Sequence, residues 1–161
     1  MEPRGNRTRR FNVEATKHNK FTHTRLLELG CGTSAMGRKL RDEYDVVLTD
    51  NVDIIDDVIF ADMLNLPAFF TDRFDVVMDK GAFDAISFRG LEDLQIAFRE
   101  ALRVLKAESE ISAIISISSE DPEYRMDRIS EVMREHDYGT TFEELSAGDQ
   151  GYYYLYRHIK R

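Results

Sequence analysis

Three stretches of this chain combine residue types and spacings that suit cofactor chemistry. The first is Arg25-Leu26-Leu27-Glu28-Leu29-Gly30-Cys31-Gly32-Thr33-Ser34-Ala35-Met36-Gly37, an apolar run that stops at two glycines flanking one residue. Glycine has no Cβ, so the backbone at Gly30 and Gly32 can turn sharply and a ligand can lie against it. The natural reading is strand, tight turn, helix, and at the carboxyl end of a first strand such a turn is where nucleotide-type ligands bind. Taken alone, Gly30, Gly32 and Ala35 also satisfy the G-x-G-x-x-small pattern of a dinucleotide site. Glu28, two residues ahead of Gly30, tilts the choice: it suits a cationic, donor-rich ligand and would repel a pyrophosphate. The reading is therefore S-adenosylmethionine (SAM), with Glu28, Gly30, Cys31 and Gly32 around its amino-acid end.

The second stretch holds two acids that end consecutive strand patterns. Asp50 closes Val46-Val47-Leu48-Thr49-Asp50, about twenty residues past the glycine turn, where a carboxylate accepts from both ribose hydroxyls. Asp62, in Phe60-Ala61-Asp62-Met63, is placed to accept from an adenine amino group while Met63 packs on the ring. The third stretch is Phe74-Asp75-Val76-Val77-Met78-Asp79-Lys80-Gly81-Ala82-Phe83-Asp84-Ala85; with Ser119-Glu120-Asp121-Pro122 it puts further acids at carboxyl strand ends. Lys80 reads as a surface cation or the partner of a neighbouring acid.

The elements that must position these residues alternate between strand and helix patterns from Arg25 onward, as in a parallel sheet with crossover helices. Strands are expected at Arg25–Leu29, Asp45–Thr49, Val58–Ala61, Phe74–Met78, Ser112–Ser118, Thr140–Leu145 and Tyr152–Ile159. Leu91, Leu94, Ala97, Phe98, Ala101, Leu102 and Leu105 recur at three- and four-residue steps and form one apolar helix face; Ile129, Val132 and Met133 do the same on a helix opening near Pro122. No helical pattern separates the last two strands, so they should pair as an antiparallel hairpin. Only twelve residues separate Asp50 from Asp62, less than a parallel crossover with a helix requires. The helix between strands two and three is therefore expected to be lost or shortened, leaving an exposed sheet edge. The acids Asp50, Asp53, Asp56 and Asp57 there read as a solvated loop, since the glycine and terminal glutamate of a calcium loop are missing.

With 161 residues and 42% hydrophobic content the chain fits a single domain, and no apolar run approaches membrane-spanning length. One cysteine, Cys31, allows neither an internal disulfide nor a cysteine-ligated zinc site; it suits a reducing compartment and reads as a small filler in the turn. The net charge of −8 is unevenly placed, because residues 1 to 25 carry Arg4, Arg7, Arg9, Arg10, Lys17, Lys20 and Arg25 against Glu2 and Glu14. Residues 1–24 are accordingly a basic arm, read as solvated chain with an import signal as the alternative, and residues 25–161 are the folded domain. The acidic body disfavours nucleic acid and favours a basic partner surface.

On the glycine turn, Asp50, the Asp79-Lys80-Gly81-Ala82-Phe83-Asp84-Ala85 segment and the closing hairpin, the chain resembles the class I (seven-β-strand) SAM-dependent methyltransferases. The Asp-Lys-Gly-x-x-Asp-Ala run is similar to the signature after strand four in methyltransferase-like protein-lysine methyltransferases. Ser119-Glu120-Asp121-Pro122, Phe142-Glu143-Glu144-Leu145 and Gly151-Tyr152-Tyr153-Tyr154-Leu155-Tyr156 look like the branch containing the citrate synthase lysine methyltransferase. The resemblance implies an α/β fold, a Rossmann-like, doubly wound, mostly parallel seven-stranded sheet with an antiparallel C-terminal hairpin. It implies SAM as cofactor, no metal, and methyl transfer to a lysine on a partly basic protein surface. Asp79, Asp84, Glu120 and Asp121 are then the candidates for gripping that lysine, with Asp79 nearest the methyl group, and one of Tyr152 to Tyr154 would line the target channel. The expected protein is a cytoplasmic monomer, with the mitochondrion as the alternative compartment. The chain departs from the family in having no tryptophan ahead of the first strand and in carrying Ser34 for the third glycine. A small-molecule N- or O-methyltransferase and a noncatalytic partner subunit of the same fold are the competing readings.

Overall fold

Four of the five residues of β1 (Arg25–Leu29) are buried, and Leu26, Leu27 and Leu29 supply both faces of the sheet, as suits a central parallel strand. The structure, a computed structural model, describes residues 24–33, 36–52, 57–146 and 152–161. The basic arm up to residue 23, Ser34, Ala35, Asp53, Asp56 and the hairpin tip at 147–151 lie outside those residues. From β1 the chain passes through α1 (Met36–Leu40) to β2 (Asp45–Asp50) and β3 (Val58–Phe60). It then crosses to the other side of β1 for β4 (Val76–Lys80), α2 (Ala82–Ser87), α3 (Leu91–Val104), β5 (Ala113–Ser118), α4 (Pro122–Glu135), β6 (Tyr138–Ser146) and β7 (Tyr152–Lys160). The seven strands lie in the order β3-β2-β1-β4-β5-β7-β6, with β1 to β5 parallel and β7 antiparallel to both β5 and β6. The expected doubly wound sheet with its closing hairpin is what forms.

The reversal of strand order between β1 and β4 opens a crevice at their carboxyl ends, the place where ligands bind in open α/β sheets. Two apolar layers hold the sheet around it. Leu27, Leu29 and Val77 point into the larger core with Phe83, Phe98, Ala101, Ile129 and Val132 from α2, α3 and α4. Leu26, Leu48 and Met78 point to the opposite face, where α1 supplies Met36 and Leu40. The Phe83 and Phe98 rings stack at 4.0 Å, which fastens the short α2 onto α3.

Some elements differ from the sequence expectation. β4 starts at Val76, two residues late, because the Asp75 side chain leaves the strand pattern to accept from Arg25 N, Lys106 Nζ and Ser109 Oγ. Its end moves correspondingly to Lys80, so Asp79 lies inside the strand. Between β2 and β3 run only seven residues, and Asp57 among them pairs with Arg38 and Arg41 beside α1 at 2.9 and 2.6 Å. The edge at β3 is open, as expected, with Phe60 68% exposed. Among the described residues no helix is long and apolar enough to cross a membrane.

Phe98 is fully buried, stacked on Phe83 and in edge contact with His158. Phe98→Ala is expected to lower unfolding stability by about 3–5 kcal/mol, read from urea midpoints at unchanged slope.

Candidate functional site

The crevice floor is the glycine turn. Gly30 has φ +55°, and a Cβ built on it would stand 2.6 Å from the Ala82 Cβ, so any side chain there would push α2 away from β1. The next bond is made by Asp50 at the end of β2: its Oδ2 accepts from Gly32 N at 2.8 Å and its Oδ1 from Val52 N at 3.0 Å. A carboxylate has about four lone-pair positions, so among the described residues' bonds each Asp50 oxygen has one filled and room for another. A cavity of about 270 Å³ opens here, walled by Gly30, Asp50, Asn51, Met63, Lys80 and Gly81. Gly30, Asp50 and Met63 are thus brought together as the sequence suggested.

The other expected cofactor residues lie elsewhere. Glu28, expected beside the ligand, lines neither cavity; its Oε2 accepts from Gly37 N at 2.9 Å, tying α1 to β1. Burial pushes the Glu28 carboxyl above its ordinary pKa, against the Gly37 hydrogen bond and the Arg38 charge. Gly37 must be glycine for this contact, since a Cβ would run into Glu28 Oε2 and Leu48. Cys31 is buried in the α1-side core, with its N–H on Thr49 O at 2.9 Å, and burial pushes its thiol up. Gly32 supports the site through Asp50 rather than lining it. Asp62 is exposed and accepts from Leu64 N at 2.9 Å, closing a local turn that leaves Met63 on the wall.

A second, larger cavity of about 760 Å³ lies beyond β4, walled by Asp84, Phe88, Ile117, Ser119, Leu145 and Tyr153. It shares Lys80, Gly81 and Ala85 with the first, so the two meet at the β4–α2 turn. Of the tyrosines weighed for a target channel whose side chains are described, Tyr153 lies on this wall and Tyr154 does not; the Tyr152 side chain lies outside those described.

The four acids expected to grip a lysine are already engaged. Asp84 is the only one of them on the cavity wall. Its Oδ1 accepts from Ser118 Oγ at 2.6 Å and Arg125 Nη2 at 2.5 Å, and its Oδ2 from Ser119 N at 2.8 Å and Ser119 Oγ at 3.0 Å, which fills all of its lone pairs. Asp79, 1% exposed, lines neither cavity; it accepts from Ala82 N and Phe83 N at the start of α2 and from Ser116 Oγ. Glu120 pairs with Arg125 and Arg128 and accepts from the Ser87 hydroxyl. Asp121 caps α4, accepting from Glu123 N and Tyr124 N, the ordinary task of an aspartate at that position. A strand-end acid satisfies buried backbone and serine donors before any ligand arrives, and the sequence does not reveal those donors.

Two residues gain importance that their sequence positions had hidden. Lys80, read as a surface cation or the partner of a neighbouring acid, is exposed and lies on the walls of both cavities. Arg125 is fully buried on the apolar stripe of α4 with Ile129, Val132 and Met133. A charge at a stripe position is the signal that could have found it.

No protein-family model matches the chain, and no curated protein sequence does. Solved structures share its fold. Magnesium protoporphyrin IX methyltransferase from Synechocystis PCC 6803, with bound SAM, has a TM-score of 0.65 at 10% identity, over 87% of this chain and 71% of that one. The Burkholderia thailandensis 1,6-didemethyltoxoflavin-N1-methyltransferase, with bound 1,6-didemethyltoxoflavin and S-adenosylhomocysteine, gives 0.64 at 11% identity, over 86% and 72% of the two chains. The [4+2]-cyclase SpnF gives 0.65 at 14% identity, over 87% and 75%. The fold is that of the class I SAM-dependent methyltransferases.

Burial pushes the Asp79 carboxyl from the ordinary 3.8 up to about 6, against the Ser116 hydrogen bond, the Arg125 charge and the Phe83 N–H. The folded protein therefore binds this proton more tightly than the unfolded chain does. The contribution to stability is full below about pH 4 and is lost as pH rises through 6, amounting to at most about 3 kcal/mol. Asp79→Asn is expected to remove this slope between pH 4 and 7, which urea unfolding at a series of pH values would measure.

Proposed function

We propose that this protein is a SAM-dependent methyltransferase whose acceptor is the side-chain amine of a lysine on another protein. The observation that supports the first half is the pair of cavities meeting at the β4–α2 turn, with the Asp50 carboxylate on the wall of the smaller one. The residues present fit SAM. Gly30 leaves bare backbone at the turn, Asp50 has room for two ribose hydroxyls, and the Met63 side chain offers an apolar surface to an adenine ring. SAM, when bound, supplies a methyl group activated on a sulfonium, and in-line transfer needs alignment more than acid or base groups.

The acceptor half rests on the larger cavity and on the Asp79-Lys80-Gly81-Ala82-Phe83-Asp84-Ala85 run that forms the partition between the two. Phe88, Ile117, Leu145 and Tyr153 offer apolar and aromatic surface that suits the methylene stem of a lysine. A lysine amine is mostly protonated in neutral water, with a pKa near roughly 10.4, and only the neutral form has a lone pair to attack with. Apolar walls disfavour the charged form and so promote proton loss at the place where the amine must be neutral. Phe88, on the cavity wall and 91% exposed, offers aromatic surface to a side chain arriving from solvent, and the acidic body suits a basic partner surface.

The same cavity supports a second reading. Its volume of about 760 Å³ falls within the range of small-molecule pockets, and an apolar small amine or hydroxyl compound would find the same walls. Labelling separates the two: a soluble extract incubated with the protein and methyl-tritiated SAM is expected to give a labelled protein band with the label on lysine. Label confined to the small-molecule fraction would move the assignment to the second reading. Calorimetry with SAM that gives no heat would leave a noncatalytic module. Asp50→Asn is expected to weaken SAM binding at least tenfold in the same calorimeter, since a paired, charge-assisted contact contributes about 1.5–3 kcal/mol.

A further inference from the structure

The fully buried guanidinium of Arg125 reaches from α4 to Asp84 on the wall of the larger cavity. Its Nη2 donates to Asp84 Oδ1 at 2.5 Å, its Nε to Glu120 Oε2 at 3.0 Å, and its Nη1 to Ser116 Oγ at 3.1 Å. Ser116 in turn donates to Asp79 Oδ2 at 2.5 Å, and Asp79 holds the first N–H groups of α2. The flat face of the guanidinium lies over the Tyr156 ring at 4.9 Å, and the Tyr156 hydroxyl donates to Glu120 O at 2.9 Å. One side chain thus joins α2, β5, α4 and β7 around the turn that separates the two cavities.

We propose that Arg125 is a positioning residue for methyl transfer: it fixes the β4–α2 turn through Asp84 and the Ser116–Asp79 pair. By engaging Asp84 it also leaves no free carboxylate among the described residues of the acceptor cavity's wall, so the acceptor is taken in its uncharged form. This rests on the reading of the larger cavity as the acceptor site. The geometry demands arginine: a planar fork donates to several fixed acceptors at once, whereas the ammonium of a lysine is a single point of charge. The neutrality follows from the same bonds, because every lone pair of Asp84, the acid among the described residues of that wall, is filled.

Arg125→Lys keeps the charge and loses the fork, so it tests positioning with the least risk to folding. Amide hydrogen exchange is expected to become at least tenfold faster at Phe83 to Ser87 in α2, while Phe98 and Ala101 in α3 stay within twofold. At saturating methyl-tritiated SAM, labelling of the soluble extract is expected to fall at least tenfold, with SAM affinity by calorimetry unchanged within threefold. Exchange that is unaltered, or altered equally in α2 and α3, overturns the positioning role. Arg125→Met leaves the buried Asp84 carboxylate without its cation and Glu120 with Arg128 alone, which is strongly destabilising. Pairing it with Asp84→Asn is expected to raise the melting temperature above that of Arg125→Met alone, and a further fall overturns the charge compensation. Should the wild-type protein label nothing, the methyltransferase reading fails by itself, and the exchange and melting comparisons still decide the role of Arg125.

Discussion

A guanidinium cannot leave water without taking its counter-charges along, and this constraint organises the end of the sheet where the cavities lie. Arg125 is fully enclosed, so Asp84 from α2 and Glu120 from the end of β5 must come to it, and both carboxylates arrive with further donors in place. The bonds then run outward. Ser116 connects the cluster to Asp79, Asp79 holds the opening of α2, and α2 leans on α3 through the stacked Phe83 and Phe98. A lattice of this kind gives up the flexibility of several side chains, and in return the partition between the cavities has a single arrangement.

The architecture was legible because it follows from burial. Leu26, Leu27 and Leu29 form a run too apolar for anything but a central strand, the α3 stripe from Leu94 to Leu102 marks a face against the sheet, and the missing helical pattern before Tyr152 marks the hairpin. The glycine turn and Asp50 were legible for a different reason: bare backbone and an acid at a strand end have few other uses in combination. Side-chain employment was not legible. Glu28 and Asp79 occupy the positions the sequence suggested, yet their oxygens face the N–H groups of Gly37 and Phe83, and no pattern of residue types shows which way a carboxylate turns. The short α2 was also hidden, since six residues give too little periodicity to read, and it takes its support from Asp79 and Phe98.

Fold and chemistry separate clearly here. A porphyrin methyltransferase, a toxoflavin-precursor methyltransferase and a cyclase superpose on this chain at 10% to 14% identity. What they share with it is the fold, and a fold leaves chemistry to the residues that line its site. In this chain the lining changes character over a few residues of one turn, from the hydrogen-bonding Asp50 and Asn51 on one side to the aromatic Phe88 and Tyr153 on the other.

The open margin at β3 has its own physical consequence. Asp57 is held by Arg38 and Arg41 well down the acid scale, at about 2, so the clasp joining the segment ahead of β3 to the α1 side stays charged at any physiological pH. Its members face solvent, where dissolved ions weaken attraction over about 8–10 Å. Ionic strength therefore bears on this margin through the clasp, whose attraction dissolved ions screen, whereas the apolar interior holds together without charges to screen.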